Sequence, residues 1–317
     1  MSKPRIYIDG EAGTTGLHIH QRLADREDIQ LLTIAGDRRK DPAERKRLLN
    51  EADLAFLCLP DEAAVEAVGL VENPDTRIID ASTAHRTAPG WVYGFPELGP
   101  EQRAAVASAK RVANPGCYAT GFIALIAPLV RRGLLGPDTP LVCHALSGYT
   151  GGGKKMIAVY EAEEREAELV SPRHYAVNLD HKHIPEMVSV CGLTRRPVFT
   201  PIICDFPQGM VVTVPLYFDM FTGAQSLESL RALYNDYYAG SRFVTVRPPE
   251  APTCGFIGSN NLTGTNSLQI FVCGSGEQVM LCARLDNLGK GASGAAVQNM
   301  NLMLGLPEES GLVRQES

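Results

Sequence analysis

Near its start the chain runs a short apolar strand candidate at 5–9 directly into Gly10-Glu11-Ala12-Gly13-Thr14-Thr15-Gly16, and then into a helical pattern. The glycines follow G-x-x-G-x-x-G. Strand, glycine turn and helix in that order let the backbone approach a pyrophosphate. The unpaired N–H groups and positive dipole end of the helix then face that anion. Glycines alone also make plain turns, so the flanking elements carry the argument. Gly10, Gly13, Thr14, Thr15 and Gly16 are the candidate cofactor contacts.

The next hundred residues keep the same plan. Strand candidates at 5–9, 30–35, 54–59, 77–80 and 111–113 alternate with helical stretches at 17–24, 42–50 and 61–69, which predicts a parallel sheet covered by helices on both faces. From about Leu141 the texture changes to longer strands, at 211–218, 267–273 and 278–285, separated by loops. That pattern predicts a second, mainly antiparallel-sheet domain. The Glu-rich run 160–169 reads as a solvated helix. The small apolar helix at 291–304 is suited to pack back onto the first domain. The expected organisation is α/β plus α+β: a Rossmann-like domain over 1–116 plus 287–317, and a catalytic and oligomerisation domain over 117–286.

Composition narrows the function. Of 317 residues, 44% are hydrophobic and the net charge is -6, which argues against a nucleic-acid partner. No apolar stretch approaches the ~20 residues that span a bilayer, and the longest, 121–130, contains Pro128. With no secretory pattern after Met1, a cytoplasmic location is expected. The eight cysteines, at 58, 117, 143, 191, 204, 254, 273 and 282, form no C-x-x-C pair, so neither a zinc ribbon nor a dithiol centre is expected.

Cys117 stands apart. Asn114-Pro115-Gly116 is a turn signal, so Cys117 falls at a helix start, where the dipole and free N–H groups favour a thiolate. A thiolate is both nucleophile and leaving group, as thioester chemistry requires; a buried structural thiol is the competing reading. His181-Lys182-His183-Ile184-Pro185-Glu186 is the densest polar cluster and offers a base with Glu186 as orienter. No further ligand stands at zinc spacing, and no metal is expected. After the second strand, Asp37 favours NAD whereas Arg38-Arg39 favours the 2′-phosphate of NADP, and two arginines tip the balance to NADP(H). The segment Ser147-Gly148-Tyr149-Thr150-Gly151-Gly152-Gly153-Lys154-Lys155 misses the ATPase pattern at Lys155; Ser147 and Lys154 suit a substrate phosphate, or the segment is a structural turn.

Taken in order, Gly10–Gly16, Leu59-Pro60, Asp80-Ala81-Ser82 with Arg86, Asn114 to Thr120, Ser147-Gly148, His181 to Glu186 and Asp286 to Gly291 resemble the N-acetyl-gamma-glutamyl-phosphate reductases of arginine biosynthesis, in their shorter form. The likeness spans nearly the whole chain and departs from the longer form at Leu125. It implies a semialdehyde dehydrogenase-like fold and reduction of an acyl phosphate by NADPH through a Cys117 thioester. It implies His181 as acid/base, with His183 as the alternative, and Arg86, Ser147, Tyr175, His183 and Glu186 around the substrate. Pro60, Ser82, Arg38 and Asn287 are implied on the cofactor side, and a homo-oligomer, dimer or tetramer, as the assembly. Aspartate-semialdehyde or amino-adipyl-phosphate chemistry and a non-catalytic NADP sensor are the rival readings.

Overall fold

The computed structural model describes residues 3–250 and 255–315, so Cys254 lies outside the described residues. The chain divides into two compact units. One comprises residues up to Pro96, Pro100–Pro115 and Ala292–Leu312; the other comprises Glu97–Gly99, Gly116–Gly291 and the residues from Val313.

The first unit is a six-stranded sheet of β1 (Arg5–Asp9), β2 (Gln30–Leu32), β3 (Leu54–Leu57), β4 (Arg77–Asp80), β5 (Val92–Tyr93) and β6 (Arg111–Ala113). Its order is β2-β1-β3-β4-β6-β5, and each pairing is parallel. Helices α1 (Thr14–Leu23), α2 (Pro42–Glu51), α3 (Asp61–Gly69) and α4 (Pro100–Ser108) connect the strands. β3 is buried at all four positions, as a strand covered on both faces must be. One apolar cluster joins Ile6, Ile8, Phe56 and Ile79 to Ile19, Leu23 and Val106, and also to Ala296, Val297, Met300 and Met303 of the C-terminal helix Gly294–Met303. On the opposite face Tyr7, Ala55, Leu57 and Ile78 pack with Leu48, Leu49, Ala64 and Ala67. Two strands are shorter than expected. β2 ends at Leu32 and β3 at Leu57, because Gly36 opens a 3₁₀ turn and Pro60 caps α3.

The second unit begins with α5 (Cys117–Arg131), which carries Pro128 within its last turn rather than ending there. Then follow β7 (Val142–Gly148), α6 (Gly153–Tyr160), β8 (Arg173–His174), α7 (Ile184–Cys191), β9 (Val198–Cys204), β10 (Met210–Tyr217), α8 (Leu227–Tyr237), β11 (Val244–Val246), β12 (Leu268–Ser275) and β13 (Gln278–Leu285). The C-terminal helix is α9. The sheet order is β11-β12-β13-β10-β7-β9-β8. The long pairs β10–β13, β12–β13 and β10–β7 are antiparallel, whereas β7–β9 and β11–β12 are parallel. A parallel pair needs a crossover connection, which is why α6 and α7 lie where loops alone were expected.

The Glu-rich run does not form the predicted helix. α6 ends at Tyr160, residues 161–166 are irregular, and a 3₁₀ turn spans Ala167–Val170. A helix would stack Glu161, Glu164 and Glu168 on one face as like-charge neighbours. Instead Arg165 leaves the run to bind Asp205 through both guanidinium ends, each at 2.7 Å. Among the described residues no helix is long and apolar enough to cross a membrane.

Candidate active site and nucleotide loop

In the first unit the strand register brings Asp9, Leu57, Asp80 and Ala113 level across one edge of the sheet. The segments that leave this edge carry Gly10–Gly16, Pro60 and Ser82, so these three expected cofactor elements share the carboxyl ends of neighbouring strands. Gly10 has φ +86°, and a Cβ there would lie 2.3 Å from the carbonyl oxygen of Cys58; at Gly16 it would lie 2.5 Å from that of Gly10. Only glycine fits the turn. The Gly13 N–H donates to Gly10 O at 2.8 Å, and no side chain caps α1, which starts at Thr14. Bare backbone around a helix start suits a pyrophosphate.

Asp9, 3% exposed, receives Arg45 of α2 in a buried ion pair with its closest contact at 2.9 Å. The sequence reading missed this anchor; its only signal was an acid ending an otherwise apolar strand, where a buried charge needs a partner. Arg38 lies in the 3₁₀ turn Gly36–Arg38 with its side chain 61% exposed, 4.0 Å from Glu44. Asp80 is fully buried and accepts the Ser82 backbone N–H and hydroxyl at 2.9 and 2.6 Å, and it lies 2.6 Å from His85 Nδ1. Arg86 donates to the carbonyls of Asn114 at 3.0 Å and Ala81 at 3.4 Å.

The second unit gathers the nucleophile candidate and the histidine cluster. Cys117 is the first residue of α5 and half-buried, and the first turn of α5 contains no acid. The preceding Gly116 N–H donates at 3.1 Å to Glu186, a buried carboxylate in the first turn of α7. Glu186 therefore holds the turn in front of the cysteine. Around Tyr118, 4% exposed, lie the rings of Phe199 at 5.2 Å, His181 at 5.6 Å, His183 at 5.8 Å and Tyr175 at 6.3 Å. The Tyr118 hydroxyl lies beside the side chains of Tyr175 and Ser147. Burial holds its pKa well above the ordinary value, and a Cys117 thiolate nearby adds to that rise. Burial likewise raises Tyr175, with the same thiolate contributing.

His181 Nδ1 lies 3.1 Å from the backbone N–H of His183, which can only donate. The neutral ring therefore carries its proton on Nε2, 3.3 Å from the Tyr175 hydroxyl. Cys117, Ser147, Tyr175, His181, His183 and Glu186 thus belong to one unit, with Tyr175, His181 and His183 packed around Tyr118, a residue the sequence reading passed over although it follows the cysteine directly. Arg86, Ser82 and the glycine loop belong to the other unit. Lys154 is exposed in the first turn of α6. Asn287 is 1% exposed, accepting from Gly209 N–H at 2.8 Å and donating to the Thr150 hydroxyl at 3.1 Å, so both ends of its amide are engaged in packing.

Residues 5–106 match the family model described as semialdehyde dehydrogenase, NAD binding domain. Residues 117–287 match the one described as semialdehyde dehydrogenase, dimerisation domain. A protein of Nostoc sp. named N-acetyl-gamma-glutamyl-phosphate reductase 2 is 49% identical across 98% of this chain and 100% of its own. This chain belongs to the N-acetyl-gamma-glutamyl-phosphate reductase family. Reductases of that name from Sinorhizobium fredii, 50% identical over 95% of this chain and 99% of theirs, and from Pseudomonas putida, 47% identical over 98% and 100%, are further members. Among solved structures, aspartate semialdehyde dehydrogenase II of Vibrio cholerae complexed with ASA has a TM-score of 0.74 over 96% of this chain and 99% of that one. At 14% identity that likeness is one of fold, and it bears out the semialdehyde dehydrogenase-like architecture expected of an N-acetyl-gamma-glutamyl-phosphate reductase.

Proposed function

We propose that this chain reduces N-acetyl-L-glutamyl 5-phosphate to N-acetyl-L-glutamate 5-semialdehyde with NADPH, as a step of arginine biosynthesis in the cytoplasm. The observation that carries the reading is Cys117 at the open start of α5 within the cluster of Tyr118, Tyr175, His181 and His183. The helix start favours the thiolate. Cys117 Sγ attacks the acyl carbon, the carbon–oxygen bond to phosphate breaks, and inorganic phosphate leaves a thioester on the enzyme. When bound, the nicotinamide cofactor supplies the hydride that reduces the thioester carbonyl. The resulting thiohemiacetal collapses to the aldehyde and returns the Cys117 thiolate.

His181 is the proposed proton-handling residue, acting at Nε2, the atom that carries the proton while Nδ1 accepts from His183 N–H. A donor there stabilises charge on the thiolate and on the thiohemiacetal oxygen. His183 is the alternative for taking the thiol proton. Ser147, Tyr175 and Glu186 complete the proposed substrate site, and Arg86 is assigned a substrate anion. Gly10, Gly13, Thr14, Thr15, Gly16, Pro60 and Ser82 are proposed to cradle the dinucleotide. Arg38 is proposed for the 2′-phosphate, and Asn287 for the nicotinamide side of the cofactor. The match to a dimerisation-domain model supports a homo-oligomer, with dimer or tetramer as the expected state.

The test is the reverse reaction: NADP⁺ reduction with N-acetylglutamate semialdehyde, followed by nicotinamide absorbance, with and without inorganic phosphate. Phosphate-dependent turnover that disappears in Cys117→Ala is the expected outcome. Folded wild-type protein that binds NADP⁺ but leaves this aldehyde untouched, while turning over aspartate semialdehyde or the amino-adipyl analogue, would transfer the assignment to that substrate.

A further inference from the structure

Lys290 is among the largest fully buried side chains of the molecule, and it is a charged one. Its Nζ lies 2.7 Å from Glu97 Oε1, with the two side chains 1% and 4% exposed, and 5.8 Å from the centre of the Phe243 ring. An ion pair this deep is costly to form and adds little net stability over apolar packing, so its presence asks for another reason. Lys290 lies in the π-turn Gly289–Ser293, and single π-turns collect at functional sites. The turn is tightly wound. Asp286 accepts Gly264 N–H and Leu288 N–H at 2.8 and 3.1 Å through its carboxylate, and its carbonyl accepts Gly291 N–H at 2.9 Å. At Gly289 an added Cβ would meet Thr265 O at 1.9 Å.

The outcome of this winding is the placement of Gly291. A Cβ on Gly291 would lie 2.7 Å from Cys117 Cβ and 3.2 Å from Cys117 Cα. Gly291 has no left-handed φ, so glycine serves here for space rather than for backbone conformation. The backbone of the turn is the wall against which the cysteine side chain rests. Glu97 is itself held, because the neighbouring Leu98 carbonyl accepts from Arg131 of α5 and, at 2.8 Å, from Tyr237 of α8.

We infer that Lys290 is a positioning residue: its buried pair with Glu97 locks the π-turn so that Gly291 sets the direction of Cys117 Sγ relative to the start of α5. This rests on the reading of Cys117 as nucleophile. A thiolate gains from a helix start only when its sulfur points at the free N–H groups. The pair thereby acts on nucleophilicity without touching substrate or cofactor.

The test uses the full chain, with alkylation of Cys117 by iodoacetamide followed by peptide mass across pH, beside steady-state turnover. In Gly291→Ala, Cys117 alkylation near neutral pH should slow at least tenfold. The alkylation profile should shift to higher pH, and kcat should fall, while KM for the acyl phosphate and NADPH binding stay within about threefold. Glu97→Gln with Lys290→Met, which removes both charges together, should shift the profile the same way, whereas Lys290→Arg alone, which keeps the charge opposite Glu97, should lie between that variant and wild type. Variants that lose thermal stability yet keep the wild-type alkylation profile and kcat would show the pair to be structural and overturn the inference. If Gly291→Ala does not fold, the double variant decides. If wild-type Cys117 itself alkylates no faster than a free thiol and its loss leaves turnover intact, the nucleophile assignment fails instead, a distinguishable result.

Discussion

Tyr118 packs against four rings of the histidine cluster, and it carries a single polar atom into that cluster, its hydroxyl. Its hydroxyl lies beside Tyr175 and Ser147, while its ring packs against His181 and His183. Tyr118→Phe keeps the ring and removes the hydroxyl. It should cost about 1 kcal/mol in stability and lower kcat about tenfold, measured by denaturant unfolding and initial rates. Arg38 makes the opposite case, since it is well exposed and its nearest carboxylate is 4.0 Å away. Arg38→Ala should raise KM for NADPH about tenfold or more and leave KM for NADH unchanged, because only the 2′-phosphate distinguishes the two. Equal loss with both cofactors would remove Arg38 from that contact. Cys117 was legible as a candidate from Asn-Pro-Gly and the helical run after it. Its surroundings were not, because Gly291 beside it and Glu186 on the preceding turn reach this helix start only through folding.

At the scale of elements, the glycine loop and α5 show how local sequence becomes a site. Gly10→Ala would force a side chain into φ +86° against the carbonyl of Cys58. It should destabilise by about 3 kcal/mol or more and abolish measurable dinucleotide binding, checked by calorimetric unfolding and NADPH fluorescence. α2 offers a milder control. Asp41 caps it, accepting from Ala43 N–H at 2.9 Å, so Asp41→Ala should cost about 1 kcal/mol with no change in KM. Helix and strand identities in the first unit were readable because hydrophobic periods, Pro and Gly all agree there. The Glu-rich run misled because composition favours a solvated helix, whereas Arg165 and Asp205, forty residues apart, decide its path.

The whole molecule carries several buried tyrosines, and they set its response to alkali. Burial holds the hydroxyls of Tyr118, Tyr234 and Tyr238 well above their ordinary pKa. In the folded state they stay protonated above about pH 10, where the unfolded chain releases those protons. Their contribution is fully present below that pH and is lost as pH rises, by about 1.4 kcal/mol per pH unit for each tyrosine. The thermal midpoint should therefore be flat to about pH 9 and fall steeply beyond about pH 10, with tyrosinate absorbance appearing together with unfolding. Tyrosinate that appears well before unfolding would show these hydroxyls to be accessible.

The order of motifs along the chain determined the family, the α/β plan of the first unit, the glycine loop and the cysteine at a helix start, because each depends on residues close together in sequence. Tertiary structure alone decided the mixed pairing of the second sheet, where β7 meets β9 in parallel across a crossover of some fifty residues. It also decided the partners of buried charges, Asp9 with Arg45 and Lys290 with Glu97. Periodicity reports which face of an element is apolar, but a buried charge finds its counter-ion wherever the chain returns. The single carbon that Gly291 leaves out beside Cys117 belongs to the same class: it has meaning only once residues 174 positions apart have met.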